Sequence, residues 1–216
     1  MVDGVRANSY LLIAGEGLAV IDAGFSGADR IVEYARGIGF SPDKIKTIIL
    51  THPDVDHAGG ASKLKEITGA KVAIHEADAA RLSGEKPPKA VKGALGVIMK
   101  VAGSMMKLKP VKPDILLKED DRIDGLTVIF TPGHTEGSIS LYRPDGVLFV
   151  GDALRTSDDG RPRLSGDMMN FDTEMAKQSV RKLATLDFSI LLPGHGPPIK
   201  ENASALVKEL VASGFK

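Results

Sequence analysis

The residues Thr51-His52-Pro53-Asp54-Val55-Asp56-His57 follow directly on an apolar run at positions 45–50. They place two imidazoles and two carboxylates within six residues. Side chains of this kind repel one another or lack hydrogen-bonding partners in a folded protein unless a cation binds them. A polar turn whose side chains cap the helix after Gly60 is the simpler alternative. The spacing favours a metal-binding loop at the end of a buried strand.

Three further ligand-type residues occur in the same context, after apolar strands and in loops rich in Gly, Pro or Asp. His134 and His195 each follow a Pro-Gly pair, and Asp152 follows an apolar stretch at 147–150. Taken singly, each could be a turn or cap residue. Because rigid strands fix the loops that follow them, we expect one convergent metal centre. Seven ligands suit two ions bridged by a carboxylate: His52, Asp54, Asp56, His57, His134, Asp152 and His195.

Strands and helices alternate along the chain, which predicts an α/β layered protein. The helix after Ser26 is expected to bury Ile31, Tyr34, Ala35 and Ile38 on one face. His75 ends a strand and precedes a helix, so we interpret it as a cap or a surface histidine. Predicted strands occupy 9–14, 18–21, 45–50, 71–74, 126–130, 138–142, 147–150 and 189–192, and predicted helices occupy 61–68, 173–184 and 203–211, with one more beginning near 76.

Composition excludes several classes of protein and of site. The chain has 216 residues, with 28 basic and 28 acidic side chains, so it carries no net charge of the kind that marks a nucleic-acid binder. It has no cysteine, which excludes disulfides, iron–sulfur clusters and thiolate metal sites. No stretch resembles a signal peptide or a membrane span, so we expect a cytoplasmic protein.

Residues 86–112 stand apart, because they contain seven lysines and no acidic side chain. The plain interpretation is an exposed connecting helix. We rank a lid over the site or a dimer contact first, and a membrane-surface segment is a further alternative. The segment is therefore a candidate interface for a homo-oligomer.

The pattern His52-x-Asp54-x-Asp56-His57, followed in order by His134, Asp152 and His195, resembles the metallo-β-lactamase superfamily. The usual first motif of that family is H-x-H-x-D-H. Asp22-Ala23-Gly24 after an early strand also matches the family. The resemblance implies a four-layer αββα sandwich, formed by a single domain over residues 1–216 with 86–112 as an insertion.

The resemblance also implies roles for individual residues. His52, Asp54 and His134 would hold a first metal, and Asp56, His57 and His195 a second. Asp152 would bridge the two ions, and Asp22 would orient the His-rich loop through hydrogen bonds. Asp56 would in addition accept a proton from the attacking water, which makes it the catalytic residue.

Asp54 departs from the family pattern, which has histidine at this position. The extra carboxylate adds one negative charge and should make a bound water less acidic. We expect two divalent ions, with zinc favoured and with iron or manganese admitted because of the harder oxygen ligand.

The expected activity is hydrolysis of a small ester- or thioester-like substrate, similar to that of glyoxalase II. Arg155, Arg161 and Arg163 follow Asp152, and Arg155 is a candidate for binding an anionic substrate, although surface charge is an equally good interpretation. A β-lactamase is disfavoured because its cysteine ligand and secretion signal are missing. The alternatives are a phosphodiesterase or nuclease of the same superfamily, and a non-hydrolytic iron-dependent redox protein or binding protein.

Overall fold

Two units make up the part of the chain that this computed structural model describes, which covers residues 1–2, 7–89 and 108–215. The first unit contains the described residues up to 89 together with 108–117, and the second contains 118–215. Most of the lysine-rich segment at 86–112 falls outside the described residues. The lid and dimer interpretations of that segment therefore remain predictions.

A five-stranded sheet forms the centre of the first unit, in the order β1-β2-β3-β4-β5. β1 and β2 are antiparallel and are joined by the two residues Gly15 and Glu16, where Gly15 has a positive φ. β2 to β5 run parallel to one another. The strands are β1 (Tyr10–Ala14), β2 (Gly17–Ile21), β3 (Ile45–Ile49), β4 (Lys71–His75) and β5 (Ile115–Leu117).

The helices of the first unit are α1 (Ala28–Gly37), α2 (Val55–Ala58), α3 (Ala61–Thr68) and α4 (Glu76–Leu82), with a 3-10 helix at Pro42–Lys44. Apolar side chains of α1 and α3 share one buried cluster with side chains of β2, β3 and β4. The buried face of α1 consists of Ala28, Ile31, Val32 and Ala35. The predicted face was wrong for Tyr34 and Ile38, which are exposed. The buried stripe is rotated toward Val32, and the helix ends before Ile38.

A second five-stranded sheet, in the order β12-β9-β8-β7-β6, forms the centre of the second unit. Only β9 and β12 are parallel neighbours, and the other neighbouring pairs are antiparallel. A short hairpin, β10 and β11, lies outside this sheet. The strands are β6 (Arg122–Ile123), β7 (Leu126–Phe130), β8 (Ile139–Arg143), β9 (Val147–Gly151), β10 (Leu154–Thr156), β11 (Pro162–Leu164) and β12 (Ile190–Pro193).

Two helices pack on this second sheet, α5 (Thr173–Leu183) and α6 (Ala203–Ala212). Val180 and Leu183 of α5 and Val207 of α6 share a buried apolar cluster with side chains of β9 and β12. The α5 helix begins at a capped end, because the Asp172 carboxylate accepts a hydrogen bond from the Met175 N–H at 3.0 Å. The predicted α/β class is confirmed, since each unit combines a sheet with helices around its own core.

Strand direction explains where the candidate site residues lie within each unit. In the first unit β2 and β3 are parallel, so Asp22 and Thr51 follow strands that end at the same edge, and the Asp22 N–H donates to the Ile49 carbonyl at 3.0 Å. In the second unit β7, β9 and β12 all run in one direction. Their carboxyl ends therefore bring the His134, Asp152 and His195 loops to one edge of that sheet.

No helix in the described ranges combines the length and the apolar character that crossing a membrane requires.

Candidate metal centre

The first unit presents His52, Asp54, Asp56 and His57 between the end of β3 and the short helix α2. The two histidines are buried, and their ring centroids lie 4.0 Å apart. Asp54 precedes α2, but its side chain makes no capping hydrogen bond there. Gly60 precedes α3, where no side chain makes a capping bond either. The simpler interpretation of this loop as a set of helix caps therefore does not describe it.

Asp22 connects the loop to the sheet through three hydrogen bonds. Its Oδ1 accepts from the Thr51 N–H at 2.8 Å, and its Oδ2 accepts from the Thr51 hydroxyl at 2.8 Å. The same Oδ2 lies 2.8 Å from Nδ1 of His57. A carboxylate can only accept, so the His57 proton is on Nδ1 and the lone pair is on Nε2.

Thr51 orients His52 in the same way. Its single hydroxyl proton goes to Asp22, so its oxygen must accept from Nδ1 of His52, which lies 2.9 Å away. The lone pair of His52 is then on Nε2. Both buried histidines of this loop therefore present the same ring nitrogen as a potential ligand.

Asn170 fixes the tautomer of His134 in the second unit. The Asn170 amide NH₂ donates to the Ser165 carbonyl at 3.0 Å, so the Oδ1 atom is the one left to accept. Nδ1 of His134 lies 3.3 Å from this Oδ1 and donates to it. The His134 lone pair is again on Nε2.

Asp152 lies between the two histidines of the second unit. Its Oδ2 is 3.5 Å from Nε2 of His134 and 3.5 Å from Nε2 of His195. One carboxylate oxygen thus faces Nε2 of both imidazoles. This arrangement suits a carboxylate that shares a cation with each of them.

Gly196 allows the His195 loop to pack on β10. It has a φ of +89°, and a Cβ built there would lie 2.0 Å from the Thr156 carbonyl oxygen. The loop is also held by the Thr156 N–H, which donates to the His195 carbonyl at 3.0 Å. Glycine next to His195 is therefore required by the close backbone approach.

Replacing Gly196 by alanine is expected to destabilise the protein by about 1–3 kcal/mol more than the same change at Gly160, because overpacking adds to the backbone strain. Gly160 is the matched control, since its φ is +76° but a Cβ added there would meet no atom within 4 Å. Chemical denaturation of both variants measures the difference. Equal losses of stability would show that the Thr156 contact does not constrain the loop.

Lys89 contributes a charged group that the sequence analysis did not single out for this site. Its Nζ lies 2.8 Å from Oδ2 of Asp54, and that same oxygen is 3.8 Å from Nε2 of His52. Thr51 and Asn170 were also missed as orienting residues. The threonine that precedes a His-bearing loop in both halves of the chain was the available signal for Thr51.

The remaining candidates take different positions. His75 is a helix cap, as one of the two expectations had it, because its Nδ1 accepts from the Ala77 N–H at 3.3 Å. Arg155 is exposed in β10 and lies opposite Arg163 of β11. Arg163 donates to Ser157 at 3.0 Å. Nη1 of Arg161 lies 3.5 Å from Oε2 of Glu209 on the surface.

The donor set fits a divalent metal on chemical grounds. Three buried imidazoles are each held through Nδ1, which in a neutral ring leaves Nε2 as the potential ligand atom, and carboxylates lie beside them in both units. Neutral imidazole with carboxylate is the ligand chemistry of zinc, iron and manganese sites. Orientation of each ring through its other nitrogen is typical of metal-ligating histidines.

Comparison with known proteins agrees with the family resemblance of the His- and Asp-bearing loops. The family model described as "Metallo-beta-lactamase superfamily" matches residues 2–195. A relative from Bacillus subtilis (strain 168), named "Probable metallo-hydrolase YflN", is 36% identical over 209 residues, and the match covers 83% of this chain and 75% of the relative.

Two further proteins are similar to this chain. A "Hydroxyacylglutathione hydrolase" from Cereibacter sphaeroides is 34% identical over 159 residues, which cover 70% of this chain but only 49% of that protein. The solved structure "Crystal structure of TTHA1623 in a di-iron-bound form" matches with a TM-score of 0.74 at 26% identity, covering 95% of this chain and 96% of that one.

Proposed function

Since this chain belongs to the metallo-β-lactamase superfamily, we propose that ligand-type side chains from its two units together bind two divalent metal ions, and that it hydrolyses a small ester- or thioester-like substrate. The observation that carries this proposal is the common orientation of His52, His57 and His134. Each ring is held through Nδ1 and keeps Nε2 as the ligand atom.

The proposed ligand sets are those that the family resemblance implies. One consists of His52, Asp54 and His134, and the other of Asp56, His57 and His195. Each residue of these sets offers one ligand atom, and imidazole with carboxylate is a donor set typical of divalent metal sites. Asp152, whose Oδ2 faces both His134 and His195, is the proposed bridge.

Bound at this position, two divalent ions would polarise a carbonyl oxygen and supply a nucleophilic water at neutral pH. The chain's own residues have separate tasks. Asp22 and Thr51 hold the imidazoles in the ligating tautomer. Asp56 is the proposed general base, since its carboxylate would accept the proton that the attacking water loses.

Two surfaces of the second unit are proposed to bind the substrate. Arg155 offers a cation three residues after Asp152. Met168, Met169 and Phe171 are large apolar side chains that are exposed. Their segment is tied to the His134 loop, because the Phe171 N–H donates to the His134 carbonyl at 3.1 Å. These features favour an anionic substrate with an apolar group, of which an acyl thioester is one class.

Arg155→Ala is expected to raise KM for an anionic thioester about 3- to 10-fold with little change in kcat, because a uniform binding contact is removed. Arg163→Ala is the matched control, since Arg163 donates to Ser157 and lies 3.5 Å from Asp159. Steady-state kinetics of both variants decide the point. A similar rise in KM for both variants would assign Arg155 to general surface charge.

Metal quantification on untagged protein, followed by a panel of thioester, ester, lactone and phosphodiester substrates, tests the proposal. We expect about two ions per chain and activity on the thioester or ester members. Zinc is the favoured metal, and iron or manganese remains compatible with Asp54. Protein that contains iron and consumes oxygen would instead support a redox enzyme. Protein that binds no metal would contradict the proposal.

A further inference from the structure

Lys89 differs from the other lysines that form ion pairs in the described part of the chain. Its side chain is only 5% exposed, and that of its partner Asp54 is 23% exposed. The other such lysines, Lys63, Lys65, Lys109, Lys177 and Lys182, are between 28% and 68% exposed. A lysine normally keeps its ammonium in water. Burial of this ammonium is costly without a partner, so the contact with Asp54 at 2.8 Å compensates for it.

The backbone before Lys89 is held in place. Pro87 and Pro88 precede it and restrict the chain. The Pro87 carbonyl accepts from Arg81 of α4 at 2.9 Å, and the Lys86 N–H donates to the Ala80 carbonyl at 2.8 Å. The lysine is therefore attached to α4 rather than carried by an unconstrained loop.

Position 54 is where the family pattern has a neutral imidazole and this chain has a carboxylate. The extra negative charge of Asp54 lies 2.8 Å from the positive charge of Lys89. The Asp54–Lys89 pair therefore carries no net charge, and a neutral histidine at position 54 would carry none either. The sequence alone predicted a more anionic site, because only the charge of Asp54 was counted. The positive charge of Lys89 offsets that added negative charge.

We infer that Lys89 offsets the charge of Asp54 through its contact with Oδ2, so that the pair replaces the family histidine. This inference rests on the proposed metal centre. The ammonium also lowers the affinity for divalent cations, because it adds a like charge beside the ligand set.

Lys89→Met tests this inference, since methionine keeps the length and the apolar contacts of the stem without the charge. We expect the affinity for Zn²⁺, measured by competition with a chromophoric chelator, to rise about 10-fold, because a like charge is removed. If Lys89 only supported the local structure, its loss would loosen Asp54 and would lower the affinity for Zn²⁺. Lys89→Arg keeps the charge and should leave the affinity within about 3-fold of the wild type.

Two further variants make the test independent of the folding of any one of them. Asp54→His in the presence of Lys89 leaves a buried ammonium beside an imidazole and should weaken Zn²⁺ binding by about 10-fold or more, by the same like-charge argument. The double variant Asp54→His/Lys89→Met should restore affinity to near the wild-type value. The matched control is Lys86→Met, which removes one positive charge from an exposed position and should have no measurable effect.

The outcomes separate the two proposals. If the wild-type protein binds no Zn²⁺, both the proposed metal centre and this inference are overturned. If the wild type binds Zn²⁺ and Lys89→Met leaves the affinity unchanged or lowers it, only the role of Lys89 is overturned. Failure of the double variant to recover affinity would likewise overturn the replacement of histidine by the pair.

Discussion

Asp152→Asn is expected to lower kcat/KM by at least about 10³-fold, which corresponds to about 4 kcal/mol of transition-state stabilisation. The Oδ2 atom of Asp152 faces Nε2 of both His134 and His195 at 3.5 Å. Asparagine keeps the shape of the side chain but removes its charge and one acceptor oxygen. The proposed bridge between two ions would then be lost, and metal content should fall together with the rate.

The matched control is Asp158→Asn, which removes the same charge from an exposed turn six residues further along the chain. Both variants are compared by steady-state kinetics on the substrate identified in the panel and by metal analysis. Full metal content and a rate within about 2-fold of the wild type in Asp152→Asn would contradict the bridging role.

Asp22→Asn is expected to lower metal affinity by about 10- to 100-fold, the usual cost of losing a group that orients a ligand. Asp22 accepts from the Thr51 N–H, the Thr51 hydroxyl and Nδ1 of His57. The asparagine amide offers only one oxygen to these three donors. Its NH₂ group would lie against N–H or O–H donors, with which it cannot form a hydrogen bond. Since asparagine tolerates a positive φ as aspartate does, the φ of +57° at this position adds no further strain.

The same variant should also be less stable without metal, by about 2–4 kcal/mol, because two or more buried donors lose their acceptor. Denaturant unfolding of chelator-treated protein measures this cost separately from metal binding. Asp29→Asn serves as the control, since the Asp29 side chain is 70% exposed. Unchanged stability and unchanged affinity in Asp22→Asn would show that His57 is oriented by other contacts.

Local sequence patterns predicted most of the secondary structure. The strand at Leu126–Phe130 and the helix at Ala61–Thr68 have the predicted bounds. Apolar runs and helical periodicity depend on neighbouring residues, so they can be recognised along the chain. The strands β5, β6, β10 and β11 were missed, since they span only two or three residues and carry no periodic signal.

The candidate ligands were also identified from the sequence, because their loops directly follow apolar strands. Among the residues that orient them, Asp22 was identified through the family resemblance, whereas Asn170 and Lys89 were not. Asn170 lies 36 positions from His134, and Lys89 lies 35 positions from Asp54. Neither spacing marks a contact, and each residue type is ordinary in its local context.

The sequence by itself determined the family, the α/β class and the donor chemistry, because these depend on residue types and on their order along the chain. The tertiary structure decided which ring nitrogen of His52, His57 and His134 is held by a hydrogen bond and which lysine lies beside Asp54. Tautomers and ion pairs depend on hydrogen-bond partners brought together by strand order and loop packing. The pairing of Asp22 with Thr51 across 29 positions is one such contact, and it exists because β2 and β3 are parallel neighbours in the sheet.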